Sequence, residues 1–113
     1  MAKILKIPSA FVIESKVVGV SKNNSDGTSR QTIIRNEVRE DDELTLQLEP
    51  ENPYDPDAIC ILTKSGHQIG YVAKDIAGQV KSAIINESSV LVKVRWVSGD
   101  KYVGVGLRIE LVN

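Results

Sequence analysis

Cysteine is nearly absent from this chain. Cys60 stands alone among 113 residues, which excludes an intramolecular disulfide and any zinc site built on cysteines. Histidine is equally scarce: His67 follows Ser65-Gly66 in a turn-like context, and nothing pairs it with Cys60 as base and nucleophile. Cys60 lies between Ile59 and Ile61 and reads as a small buried residue. Long apolar runs are missing too. Nothing approaches the ~20 residues of a membrane helix. The patch that follows Lys3 and Lys6 is cut by Pro8 and is too short for a signal segment. The expected location is cytoplasmic. Charge of one sign is also lacking, since the formal net charge is −1, so no global basic field advertises a nucleic-acid binder.

What is present has the composition of a globular protein, 42% hydrophobic and 26% charged. At this length the expectation is one domain over residues 1–113. The charges are unevenly placed. Residues 37–57 hold nine acids against Arg39 alone, so by subtraction the rest holds 13 Lys or Arg against 6 acids. That leaves room for a local basic patch, or for charges that simply solvate separate faces.

Three of the four prolines and one of the three tyrosines fall in Glu49-Pro-Glu-Asn-Pro-Tyr-Asp-Pro-Asp-Ala-Ile-Cys-Ile61, and a second tyrosine follows in Gly66-His-Gln-Ile-Gly-Tyr71. Each proline fixes its own φ and pushes the residue before it toward extended geometry. A rigid turn presenting polar groups results. Asn52 and Asp55 are either turn formers that bond nearby backbone or ligands in their own right. Tyr54, an aromatic between two prolines, is poorly placed for ordinary core.

Phe11 to Val20 predicts a first strand with a bulge near Glu14-Ser15. The polar run 23–29 predicts a mobile loop. Arg30 to Asn36 predicts a short helix capped by Thr28 or Ser29, with Ile33 and Ile34 inward. Leu44, Leu46 and Leu48 alternate with polar residues at the period of a half-buried strand. Ala58 to Thr63 reads as a buried strand, Lys64 to His67 as a hairpin turn and Gln68 to Val72 as its return. Helical periodicity is strongest over 74–86, where Ile76, Ala77, Val80, Ala83 and Ile84 share a face. Ser89 to Ser98 alternates again, and Val90, Val92, Val94 and Trp96 are expected on one buried side. A tight turn at Ser98–Lys101 leads to a last strand from Tyr102 to Val112. One core is expected from Leu44, Leu46, Leu48, Ile59, Ile61, Ile76, Val80, Ile84, Val92, Val94 and Trp96. The order fits a mainly β protein with one main helix, a small, partly open barrel with one or two helices.

Val17-Val-Gly-Val20, Arg30, Leu44-Thr-Leu-Gln-Leu-Glu-Pro50, Asn52-Pro-Tyr-Asp55, Ala58-Ile59, Gly66, Ile69-Gly-Tyr-Val72 and the helix from Lys74 together resemble a HIRAN domain. The resemblance covers residues 10–98 and is similar to stand-alone bacterial members. It implies an OB-like or SH3-like β-barrel. It also implies binding of single-stranded DNA at a free 3′ end, in DNA repair or replication-fork processing. Other family members are fused to DNA translocases or nucleases, so here such a partner would act in trans. On the family motif, Tyr54 would stack a terminal base, Asp55 would bond the 3′-hydroxyl and Lys74 would attract phosphate. Tyr71 stands where the fork-binding member has histidine, so a phosphate contact there would come from a phenol. Ser21 and Lys22 stand where that member has Arg and Tyr. Asn52 and Lys22 complete the expected nucleic-acid-binding set, and no cofactor is expected.

Other classes fit less well. Glu49, Glu51, Asp55 and Asp57 are not followed by the Glu-x-Lys or Asp-x-Lys of a metal-dependent nuclease. The spacing of a calcium loop, with its turn glycine and terminal glutamate, is absent. A binding module rather than an enzyme is expected. The alternative is a protein-interaction scaffold that uses the acidic segment 37–57.

Overall fold

In the computed structural model, which describes residues 3–7 and 10–112, nine elements follow one another. They are β1 (Lys3–Ile7), β2 (Ala10–Lys16), α1 (Arg30–Glu37), β3 (Glu43–Leu48), β4 (Ile59–Leu62), β5 (Gln68–Tyr71), α2 (Lys74–Ile85), β6 (Ser89–Ser98) and β7 (Gly104–Val112). Pro8, which cuts the apolar patch, lies outside the described residues. β1 was not foreseen: it pairs with β2 in register Ile4↔Ile13.

All pairings are antiparallel, and the strands lie in the order β1-β2-β7-β6-β3-β4-β5. From β2 to β5 the sheet curls into a six-stranded half-barrel, the expected OB-like architecture. Its ends meet where Val18, just past β2, exchanges two 2.9 Å backbone hydrogen bonds with Tyr71 of β5. Gly70 allows that approach. A Cβ there would fall 2.4 Å from the Val18 carbonyl oxygen, and its φ of +150° disfavours any other residue.

The interior holds one contiguous cluster, including Ile13, Ile34, Ile59, Ile61, Val80, Val92, Val94, Leu107 and Ile109. In α1, Ser29 is the N-cap: its hydroxyl accepts from the Thr32 amide at 3.2 Å, and Ile33 and Ile34 turn inward. In α2 the expected stripe buries Ile76, Ala77 and Val80, while Ala83 and Ile84 are half-buried against the same cluster. Leu44 is buried, and Leu46 and Leu48 pack on the core from partly buried positions.

Several expectations are corrected. The register of β2 with β7 is unbroken from Ala10↔Val112 to Lys16↔Gly106, so no bulge occurs at Glu14-Ser15, and the strand stops at Lys16. The bulges lie instead at Ile61/Leu62 and at Val94/Trp96. The second one removes Trp96 from the core: one extra residue turns it to the outer face, 37% exposed, and Val97 packs inward in its place. The turn after β6 is longer than a tight hairpin, since Ser98 pairs with Gly104. The loop 23–29, expected to be mobile, is laced by hydrogen bonds. Asn24 and Thr28 bond through their backbones at 2.8 Å, and the Asn24 side-chain amide donates to the Gln68 carbonyl at 3.0 Å.

Candidate functional site

The proline-rich turn between β3 and β4 is closed at its base by backbone bonds from the amides of Glu49, Asn52 and Ala58, and its tip is built by side chains, because proline nitrogens donate nothing. Asn52 Oδ1 accepts from the amides of Tyr54 at 2.9 Å and Asp55 at 3.1 Å, and its Nδ2 donates to Glu49 Oε1 at 3.0 Å. Asp55 Oδ1 accepts from the Asp57 amide at 2.9 Å. Lys81 of α2 fastens the turn to the helix, donating to Asp57 Oδ1 at 2.8 Å and to the Pro56 carbonyl at 3.2 Å. Both Asn52 and Asp55 therefore form Asx-type turns. At the tip stands Tyr54, 93% exposed.

An open groove of about 930 Å³ runs beside this turn, bounded by β5, the start of α2 and the segment after β2. Tyr54, Asp55, Asn52, Tyr71, Lys74 and Lys22 all line it. The β4–β5 hairpin brings the chain back from the turn to the helix start, so residues distant in sequence share one wall. Among the described residues, neither Lys22 nor Lys74 has a carboxylate within ion-pair distance, and both are exposed.

The Tyr71 hydroxyl donates to Glu49 Oε1 at 2.9 Å, and burial raises its pKa above the ordinary phenol value, so it keeps that proton. A phosphate at this point would have to displace Glu49 and face its charge. Tyr71 is thus a groove wall whose hydroxyl is engaged by Glu49.

Arg30 was not among the expected site residues, yet it lines the groove at 6% exposure. Its Nε donates to Asn24 Oδ1 at 2.8 Å, its Nη1 donates to the Gly19 carbonyl at 2.9 Å, and its guanidinium lies 5.5 Å from the Tyr71 ring centroid. A clue existed in the sequence: a cation as first residue of a helix opposes the helix dipole, so some other interaction must hold it there. Gln68 was missed as well. Its side-chain amide is buried at the groove wall beside the Tyr71 phenol.

Charge in the groove is balanced. Lys22, Arg30 and Lys74 face Glu49, Glu51 and Asp55, so the basic residues form no excess there. The balance is uneven in availability, however, because Glu49 and Asp55 already accept internal hydrogen bonds while neither lysine is ion-paired among the described residues. The acidic segment 37–57 does not form one face. Glu37 binds His67 at 2.6 Å and Thr63 at 3.1 Å, Asp42 accepts from the Arg39 amide at 2.8 Å, and Asp57 binds Lys81. Burial pushes the Cys60 thiol up to about 11, as for a core residue. Among the described residues no three His, Cys, Asp or Glu side chains gather as metal ligands would, and no helix is long and apolar enough to cross a membrane.

The HIRAN domain model matches residues 11–112 of this sequence. The chain belongs to the HIRAN domain family. Two solved structures share its fold. The HIRAN domain of human HLTF superposes with a TM-score of 0.69 at 22% identity, over 88% of this chain and 74% of that one. A protein from Lactobacillus plantarum superposes with a TM-score of 0.74 at 18% identity, over 100% of this chain and 97% of that one. No curated protein matches the sequence significantly. Family membership supports a nucleic-acid-binding domain and is compatible with a non-catalytic module.

Proposed function

We propose that this protein binds single-stranded DNA at a free 3′-hydroxyl end, in the groove beside the proline-rich turn. One observation carries the reading: the exposed Tyr54 ring, the half-buried Asp55 and the exposed Lys74 line one groove. Tyr54 stacks the last base, a contact open to any base because each has a π-face. Asp55 has one oxygen bound to the Asp57 amide. Its other oxygen accepts the sugar hydroxyl and repels a phosphate in the same place. Lys74, with Lys22 on the same groove, holds the backbone. Asn52 acts through the turn, fixing the angle at which Tyr54 and Asp55 stand. Such an end-binding module would serve repair or fork processing alongside a translocase or nuclease acting in trans.

The test is fluorescence anisotropy with matched oligonucleotides ending in 3′-hydroxyl or 3′-phosphate, at low and moderate salt. The hydroxyl end is expected to bind more tightly, and Asp55→Asn to narrow the gap. Lys74→Ala should weaken both ends alike and flatten the salt dependence by about one unit of slope. Equal affinity for the two ends, or no binding at low salt, would overturn the reading.

A further inference from the structure

Trp96 is held outward by two independent features. The bulge at Arg95 lets Val94 pair with Leu107 and Trp96 with Gly106, which reverses the face of the strand. The indole then sits against the glycines of β7: a Cβ at Gly106 would fall 2.2 Å from its Nε1, and one at Gly104 would fall 3.4 Å from its ring. One side of the ring is seated on backbone, and 37% of the residue is exposed.

The register also fixes its neighbours. Lys16 pairs with Gly106 from the other side, so Lys16, Gly106 and Trp96 form one row across the outer face. Lys93 is exposed on the same face. The arginines nearby are committed, Arg95 to Glu14 at 2.6 Å and Arg108 to Glu110 at 3.0 Å. Among the described residues Lys16 has no ion pair, and Lys93 has Glu43 opposite it on β3 beyond ion-pair distance. The indole stands among charges of both signs, with Glu43 opposite Lys93 in register and Glu14 and Glu110 on the same face, which makes a poor seat for an apolar protein surface that needs a contiguous patch. It suits a nucleobase flanked by phosphates. The face is also continuous with the groove: Val18, two residues beyond Lys16, is 47% exposed and lines it. Two residues along a strand and two strand spacings across separate Val18 from Trp96, on the order of 12 Å.

We propose that Trp96 is a second stacking platform. It takes a base of the strand whose end occupies the groove, while Lys16 contacts the backbone between. This rests on the reading of the groove as a strand-end site. Because Trp96 is the chain's one tryptophan, its emission reports on this face alone. Oligothymidines of about three and about twelve nucleotides, labelled at the 5′ end, are titrated while anisotropy and indole emission are followed together. Both lengths are expected to bind, and only the longer to quench the indole. Trp96→Ala should weaken the longer strand about fivefold or more and leave the shorter unchanged. Lys16→Glu, which keeps the indole and its seat, should also weaken only the longer. If the longer strand binds with unchanged emission and with equal affinity in both variants, the platform is refuted and the groove reading stands. If neither length changes the anisotropy, both fall.

Discussion

The proline-rich turn and the β6–β7 hairpin each hold an aromatic ring in solvent, by opposite means. In the turn three backbone bonds, from the amides of Glu49, Asn52 and Ala58, close the base, and side chains hold the tip: Asn52 alone engages two amides and Glu49. In the hairpin the backbone ladder does almost everything, and a single extra residue decides the outcome by reversing one face. Exposure of Tyr54 is therefore written in several residues at once. Exposure of Trp96 depends on one bulge and two glycines. A tip held by side chains should fail when one of them is removed, whereas a ladder should tolerate the loss of a seat.

That contrast can be broken most sharply at Asn52. Asn52→Ala orphans the amides of Tyr54 and Asp55 and strips Glu49 of a donor, so it is expected to cost about 1–2 kcal/mol in urea denaturation. Single-strand affinity should fall with it, since Tyr54 loses its fixed angle. At the other region, Gly106→Ala puts a methyl where the indole lies. The ring has solvent to move into, so the cost is expected to be about 1 kcal/mol or less. The emission of Trp96 should shift to the red, and a loss comparable to that of Asn52→Ala would show that the two regions are not built differently.

Away from both regions, Glu37 offers a smaller effect with a definite sign. The His67 ring and the Thr63 hydroxyl hold its carboxyl below the ordinary 4.5. A group with a depressed folded pKa contributes stability that is present above its unfolded value and lost as pH falls through the folded one. Glu37→Gln should therefore lose slightly in Tm at pH 7 and show a flatter decline below pH 4.5. Tm measured across pH 3–7 on both proteins checks this. A parallel decline would mean that the pair contributes nothing.

The same two regions show what a sequence discloses. Three prolines around Asn52 and Tyr54 announce a turn, because proline acts locally and through φ alone. The alternation of β3 and the stripe of α2 are equally local, and both reach the core as expected. The valine series of β6 predicts a buried Trp96 and fails, because period-2 counting has no signal for one inserted residue. β1 escaped for a different reason: its edge pairing with β2 is a tertiary event in a segment broken by proline. At the groove, the residues carried by the Asn52-Pro-Tyr-Asp55 motif are legible. Arg30 stands in the same motif series, but its place in the groove is set by hydrogen bonds to Asn24 and Gly19, and Gln68 reaches the wall through the β4–β5 pairing, neither of which has a local signal.

If the groove beside Tyr54 takes the end of a single strand, Tyr54→Ala should remove the contact without unsettling the fold, because a ring 93% exposed supports nothing else. Anisotropy with a 3′-hydroxyl oligonucleotide at low salt should show affinity lowered about tenfold or more, as expected for loss of one stacked base at about 1–3 kcal/mol. Denaturation of the same variant should stay within about 0.5 kcal/mol of the parent. Unchanged affinity in a stable Tyr54→Ala protein would contradict the account.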